Sequence, residues 1–123
     1  MLLKNFYTIV SKDEVSDGNF TVNLSVNPAH EVFKGHFPGN PVMPGVCMMQ
    51  IIKELVEEIT GSALFMQSLS NVKFMALINP EATPDLRLEL NLSQTEDNLV
   101  KVKNTTYFND TVALKLASTY KKV

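Results

Sequence analysis

One segment of this chain has the spacing of an amphipathic helix, and the segments around it have the spacing of strands. From residue 48 onwards, apolar side chains recur every three or four residues, and charged or amide side chains occupy the opposite arc. The apolar positions are Met48, Met49, Ile51, Ile52, Leu55, Val56 and Ile59. Thr60 and Gly61 predict the end of this helix after about four turns, because glycine commonly follows the last helical residue.

The remaining segments alternate apolar and polar residues, as strands buried on one face do. Two precede the helix and four follow it. They are residues 6–10, 20–26, 71–78, 85–92, 99–108 and 111–120. Residues 12–19 predict a turn-rich break after the first strand, and Asn109–Asp110 predicts a tight hairpin between the last two. Consecutive antiparallel strands with a single helix predict an α+β fold, with the helix on one face of the sheet.

Composition and charge narrow the class of protein further. The 123 residues suit one domain spanning residues 1–123, and 45% of them are apolar, which is enough for a core. The formal charge of −2 comes without a basic tract, so we expect no nucleic-acid partner. No apolar run reaches the roughly 18 residues of a membrane span, and the first residues lack a signal-peptide pattern. Cys47 has no second cysteine to pair with. Together these features predict a cytoplasmic protein.

The segment between the second strand and the helix is rich in proline and glycine. Residues 35–46 are GHFPGNPVMPGV, and such a run predicts an irregular loop, because proline fixes φ and removes donors. Gly45 lies at the helix entrance, where N–H groups lack intrahelical partners and favour an anion or a polarised carbonyl oxygen. His36 adds a base, since an ordinary imidazole has a pKa of about 6.5. The combination predicts proton abstraction beside a carbonyl group.

This loop resembles the signature of the β-hydroxyacyl-acyl-carrier-protein dehydratases of fatty acid synthesis. The likeness runs from about residue 20 to the end of the chain. It includes Phe33 and continues into NVKF at 71–74 and LRLEL at 86–90. The family has a hotdog fold, in which an antiparallel sheet wraps around one long central helix. Its members are homodimers or larger assemblies of dimers, and dimerisation also covers the edges that a small open sheet exposes.

The resemblance implies roles for the residues of the loop and the first helical turns. His36 matches the histidine that removes the α-proton of a 3-hydroxyacyl thioester, and the N–H of Gly45 matches the donor to the thioester carbonyl. Fourteen residues after the histidine, the family has a glutamate or aspartate contributed across the dimer interface, and this chain has Gln50. An amide can hold the leaving hydroxyl without acting as a general acid. The positions expected to contact the substrate are Phe37, Pro44 and Val46.

The implied reaction converts a 3-hydroxyacyl thioester to a trans-2-enoyl thioester and water. It requires no metal or redox cofactor, and the substrate would arrive on the 4′-phosphopantetheine arm of acyl carrier protein or as a coenzyme A thioester. Lysines that would meet an acidic carrier are Lys34, Lys73, Lys101 and Lys103. Five methionines are expected to fill the core, and some of them to line a channel for the acyl chain: Met43, Met48, Met49, Met66 and Met75.

Several alternatives stay open at this point. The chain would be a non-catalytic acyl-binding hotdog subunit if the loop is kept only for its shape. Separately, Gln50 would have no role in the site if it simply faced solvent on the polar arc of the helix. It would be a hotdog thioesterase if a carboxylate faced the thioester. For the dehydratase reaction, Glu54, one turn beyond Gln50, is a weak candidate to replace the missing acid. A thiolate at Cys47 would indicate acyl transfer. His30 has no neighbouring cluster of metal-ligand type.

Overall fold

A computed structural model of the protein describes residues 4–34 and 41–123. In these residues one α-helix packs on a six-stranded antiparallel sheet. The elements in chain order are β1 (Tyr7–Ser16), β2 (Asn19–Val26), a 3-10 helix (Glu31–Phe33), α1 (Gly45–Thr60), β3 (Leu64–Phe74), β4 (Asp85–Gln94), β5 (Leu99–Phe108) and β6 (Thr111–Lys122). The strand order across the sheet is β1-β2-β4-β5-β6-β3. This arrangement confirms the predicted α+β class.

The inner face of the sheet and the apolar face of α1 share one core. The strand registers place inward-facing residues opposite each other, so that Leu24 lies opposite Leu86 and Val22 lies opposite Leu88. The helix contributes the fully buried side chains Met48, Ile51, Ile52, Leu55 and Val56. The apolar residues that recur along the helix and those that alternate along the strands therefore pack against each other in one core.

The end of α1 and the last hairpin lie where the sequence places them. Gly61 has a φ of 68°, in the left-handed region that favours glycine, and its N–H donates to the carbonyl of Glu57 at 2.8 Å. Asn109, with a φ of 53°, turns the chain between β5 and β6. Both predictions are confirmed. Each could be made from the sequence because the backbone conformation at that position is one that few residue types adopt.

The predicted turn-rich break over residues 12–19 is wrong in its extent. β1 continues to Ser16 and pairs with β2 along its length, so the chain reverses only at residues 17 and 18. Gly18 has a φ of 76°, and its carbonyl accepts the N–H of Leu92 at 2.7 Å. Beyond Ile9, most of β1 is exposed on an edge of the sheet, where polar and charged side chains are well tolerated. The polar composition of residues 12–16 favours a loop, but backbone pairing with β2 keeps these residues in a strand.

The predicted strand over residues 71–78 is also wrong in its bounds. β3 covers Leu64–Phe74 and pairs with β6. Its register shifts after Met66 and again after Ser70, and Asn71 has a φ of 52°. Each irregularity interrupts the two-residue alternation of side chains, so the first part of β3 has no regular pattern that the sequence could show.

The sheet has two edge strands, β1 and β3, each of which pairs with a single neighbour among the described strands. Large apolar side chains are exposed along β3: Phe65 is 63% exposed and Phe74 is 58% exposed. Leu77, just beyond the strand, is 76% exposed. A long edge with exposed apolar side chains is a surface on which another strand can pair.

Candidate functional site

The start of α1 presents backbone donors at the end of the proline- and glycine-rich loop. Pro44 precedes the helix, and its carbonyl accepts the N–H of Cys47 at 3.0 Å and of Met48 at 3.3 Å. The helix itself provides no acceptor for the N–H groups of Gly45 and Val46, and a proline cannot cap them with a side chain. The positive end of the helix dipole lies at the same place. This end of α1 can therefore stabilise a polarised carbonyl oxygen.

Phe74, the last residue of β3, lies directly against Gly45. A Cβ atom added at Gly45 would lie 2.7 Å from Cζ and 3.0 Å from Cε1 of the Phe74 ring, which is closer than side chains approach one another. Gly45 therefore serves two purposes: it contributes an N–H at the helix entrance, and it leaves room for an aromatic ring from the neighbouring strand.

An apolar cavity of about 400 Å³ opens beside this contact. It is lined by Met43, Gly45, Met48, residues 74–78, Ala113 and Leu114. The N–H of Met43 donates to the carbonyl of Ile78 at 2.8 Å, which fixes the segment after β3 against the chain entering α1. A cavity of this size and lining suits an apolar ligand, with the backbone donors of the helix entrance at one side.

Gln50 does not line this cavity. Five residues of α-helix turn the chain by about 140° beyond one full turn, so Gly45 and Gln50 face different directions. Gln50 is half-buried, and its Nε2 donates to Oε2 of Glu54 at 2.9 Å. Gln50 is therefore only partly exposed, and its amide is hydrogen-bonded along α1.

Glu54 lies in the polar arc of the sequence pattern, yet it is only 8% exposed. Its Oε1 accepts a hydrogen bond from the Tyr7 hydroxyl at 2.9 Å, so one carboxylate joins β1 to α1 and also holds Gln50. Burial, reinforced by the hydrogen bond to Glu54, raises the pKa of Tyr7, which keeps the phenol protonated as the donor. Next to this pair, Lys12 forms an exposed ion pair with Glu58 at 3.0 Å.

The structure brings only some of the predicted site residues together. Pro44, Gly45 and Val46 form the helix entrance, where Val46 is 72% exposed. Gln50 lies on another side of the helix. His36 and Phe37 lie outside the described residues, so their predicted roles stay predictions.

Two other candidates from the sequence have structural roles or lack reactivity. Cys47 is only 6% exposed, and burial raises the pKa of its thiol, which disfavours the thiolate needed for acyl transfer. His30 accepts the N–H of Val32 at Nδ1 (3.1 Å), and its Nε2 donates to the carbonyl of Lys4 (3.0 Å). Residues 4–34 and 41–123 contain no group of three potential metal ligands. No helix in that part of the chain combines the length and the apolarity of a bilayer span.

The sequence gives little or no indication of three side chains near the site, which are Tyr7, Glu54 and Phe74. Glu54 has a weak signal, because it lies four residues from Gln50 and therefore on the same helical face. Phe74 ends a segment that does resemble the family, but nothing in it indicates contact with Gly45. Tyr7 has no signal, since its partner Glu54 lies 47 residues away along the chain.

Comparisons with known proteins agree on family and fold. A family model described as ApeI-like, the ApeI dehydratase, matches residues 12–114. The chain is 30% identical, over an alignment of 132 positions, to the 3-hydroxyacyl-acyl-carrier-protein dehydratase FabZ of Lactobacillus helveticus, and the alignment covers 97% of this chain and 86% of that protein. For the enzyme of the same name from Levilactobacillus brevis the identity is 29%, with the same coverage.

Solved structures resemble the chain over nearly its whole length. The dehydratase heterocomplex ApeI:P from Xenorhabdus doucetiae matches with a TM-score of 0.69 and 19% identity, covering 94% of this chain and 97% of that one. A hypothetical thioesterase with coenzyme A from Streptococcus pneumoniae matches with a TM-score of 0.66 and 11% identity, covering 95% and 85%. At these identities the likeness shows the fold alone, and the fold is the hotdog predicted from the loop signature.

Proposed function

This chain belongs to the ApeI-like family of dehydratases, and we propose that it removes water from a 3-hydroxyacyl thioester in fatty acid or related acyl-chain biosynthesis. The observation that carries the proposal is the entrance of α1, where the helix itself gives the N–H of Gly45 no acceptor and an apolar cavity of about 400 Å³ opens beside it. A thioester needs both features, because its carbonyl requires a donor and its acyl chain requires an apolar channel.

The proposed elimination uses backbone and side-chain groups in sequence. The N–H of Gly45 stabilises negative charge on the thioester oxygen; the loss of one such donor typically costs about 2.7–4 kcal/mol. His36 takes the α-proton, and the electron pair released forms the double bond between the α and β carbons. The bond from the β carbon to its hydroxyl breaks, and His36 returns the proton to the departing oxygen, which leaves as water. Gln50 holds the hydroxyl during this step.

A second copy of the chain is part of the proposal. Gly45 and Gln50 of one chain face different directions, so one substrate can meet both only if Gln50 comes from a partner. The exposed edge of β3, with Phe65 and Phe74 on it, supports assembly into a homodimer or a dimer-based oligomer. The acyl group would be delivered by acyl carrier protein or coenzyme A. Of the lysines considered for docking, Lys101 and Lys103 are exposed together on the outward side of β5.

The proposed chemistry is proton transfer, so we propose no resident metal or redox cofactor; the phosphopantetheine arm enters with the substrate. We also propose that the protein acts in the cytoplasm. The single cysteine of the sequence is a buried thiol, and the resembled family takes its substrates from soluble acyl carrier protein.

Intact-protein mass spectrometry of a 3-hydroxyacyl-acyl carrier protein tests the proposed reaction. We expect the wild type to remove one water from the substrate and His36→Ala to abolish this change. Comparison of Gln50→Glu with the wild type would measure how much rate is lost by having an amide in place of a carboxyl group. General-acid assistance is typically worth about 10²- to 10⁴-fold in rate. A substrate left unchanged by the wild type over several chain lengths would refute a dehydratase function. Release of the free acid would instead indicate a thioesterase.

A non-catalytic acyl-binding subunit is the second candidate, and Gln50 is the observation that favours it. An amide stands where the family has a carboxyl group, and it is already paired with Glu54. Such a subunit would bind an acyl thioester at the helix entrance without turnover. Binding by the wild type without water loss, together with activity gained only by Gln50→Glu, would favour this candidate.

A further inference from the structure

A hydrogen-bonded chain of three side chains crosses from β1 to the middle of α1. The Tyr7 hydroxyl donates to Oε1 of Glu54 at 2.9 Å, and Nε2 of Gln50 donates to Oε2 of the same carboxylate at 2.9 Å. Glu54 is 8% exposed and Tyr7 is 9% exposed, so two of the three members are buried. The carboxylate is therefore held on both oxygens, and its position is defined by two elements of the fold.

We propose that Glu54 is a positioning residue, which turns the Gln50 amide so that its carbonyl oxygen is presented to the substrate hydroxyl. This inference rests on the proposed function, since it assigns the orientation of a group in that same site. It deepens that function by naming the residue that sets the preference of the site for a hydroxyl group at the β carbon.

The chemistry of the two groups dictates the orientation. An ionised carboxylate only accepts hydrogen bonds, so the amide must turn its NH₂ group towards Glu54. Oε1 of Gln50 then lies on the side away from the carboxylate. A carbonyl oxygen accepts from a hydroxyl but repels another carbonyl oxygen. Gln50 held in this way therefore favours a 3-hydroxyacyl group over a 3-oxoacyl group.

A glutamine in place of Glu54 would remove this preference while keeping the shape of the side chain. Its amide can donate as well as accept, so the Gln50 amide can turn over and present NH₂ instead. The Tyr7 hydroxyl would still find an acceptor in the new side chain. The structural role of residue 54 is thus largely preserved, and its effect on the orientation of Gln50 is lost.

The test compares the binding of 3-hydroxyacyl and 3-oxoacyl pantetheine thioesters to the assembled protein by isothermal titration calorimetry, with His36→Ala in every variant so that the hydroxyl compound is not converted. With Glu54 in place we expect tighter binding of the hydroxyl compound. In Glu54→Gln we expect the ratio of the two dissociation constants to fall at least about fivefold, the size of one net hydrogen bond. Glu58→Gln is the matched control, because Glu58 lies on the same helix and pairs with Lys12 at the surface; it should leave the ratio unchanged.

Tyr7→Phe separates positioning from general loosening. It removes the hydrogen bond from Tyr7 to Glu54 and should lower stability, yet it leaves the contact between Glu54 and Gln50. The ratio of dissociation constants should therefore stay near the value found with Tyr7 in place. An equal fall in Tyr7→Phe and Glu54→Gln would overturn the proposal, as would an unchanged ratio in Glu54→Gln. If Glu54→Gln does not fold, Glu54→Asp provides the same test, because its shorter side chain withdraws the carboxylate from Gln50.

A spectroscopic readout keeps this inference distinct from the proposed function. The side-chain NH₂ signals of Gln50, identified by their loss in Gln50→Glu, should shift in Glu54→Gln and stay in place in Glu58→Gln. If the wild type binds neither thioester, the proposed function is refuted, and these signals alone decide whether Glu54 orients Gln50. Signals that do not respond to the change at Glu54 refute the positioning role.

Discussion

Gly45→Ala tests the contact that shapes the helix entrance. The added Cβ would lie 2.7 Å from Cζ of Phe74, so the ring has to move away. Phe74 is 58% exposed and its ring is the far end of a flexible side chain, which means that the clash can be relieved at moderate cost. The N–H of residue 45 is retained in alanine. Any loss of activity would then follow from the displaced ring beside the cavity.

The magnitude follows from two opposing effects. Displacing a packed side chain typically costs about 1–3 kcal/mol. Replacing glycine by alanine within a helix typically gains up to about 1 kcal/mol, and less in the first turn. We therefore expect Gly45→Ala to lower the free energy of unfolding by about 0–3 kcal/mol. In a Phe74→Ala background no ring is displaced, so the same substitution should be neutral or stabilising by up to about 1 kcal/mol.

Urea denaturation of the four proteins in this double-mutant cycle, at one fixed protein concentration, measures the coupling. We expect a coupling energy of about 1–3 kcal/mol between the two sites. Thermal melts of the same four proteins should rank them in the same order. If Gly45→Ala destabilises the chain equally with and without the Phe74 ring, the steric argument for a glycine at the helix entrance is refuted.

Three further predictions concern the framework around the site. Gly18→Ala should cost about 2–3 kcal/mol or more in urea denaturation, because its Cβ would lie 2.7 Å from the backbone oxygen of Leu92 at a φ of 76°. Gly61→Ala, with a φ of 68° and no neighbour within 4 Å, should cost only about 1–2 kcal/mol; equal losses would contradict this reasoning. Folding raises the pKa of Tyr7, so the unfolded state loses the phenolic proton first as the pH rises above about 10. The free energy of unfolding should therefore fall above that pH, by up to about 1.4 kcal/mol per pH unit. Thermal melts at alkaline pH should show a weaker dependence of stability on pH in Tyr7→Phe. Cys47 should react with a disulfide reagent at least about tenfold more slowly in the native protein than in urea, and equal rates would contradict its burial.

The sequence predicts those parts of the fold that depend on local rules. β5 has the same bounds, residues 99–108, in the sequence pattern and in the structure, because its inward and outward side chains alternate without a bulge over most of its length. The end of α1 at Gly61 and the turn at Asn109 follow from backbone conformations that few residues adopt. The loop signature supplies the family, and the comparisons confirm it.

The sequence does not predict features that depend on pairing between distant segments. β3 is recognised only in part, because two register shifts and an exposed surface remove its alternation. The extent of β1 depends on pairing with β2, which maintains a strand through charged residues. The hydrogen bond from Tyr7 to Glu54 joins residues 47 positions apart, and no local pattern indicates that a glutamate in the polar arc of a helix is covered by a strand.

The position of Glu54 changes how the departure at Gln50 is interpreted. A lone amide in place of an acid would indicate a site that has lost a functional group. Here a carboxylate lies one helical turn away, buried and bonded directly to that amide. A buried carboxylate is costly unless its oxygens are hydrogen-bonded, so Gln50 and Tyr7 together make it tolerable. In the proposed site the two residues on α1 therefore form one unit, in which the carboxylate of Glu54 orients the Gln50 amide that faces the substrate hydroxyl.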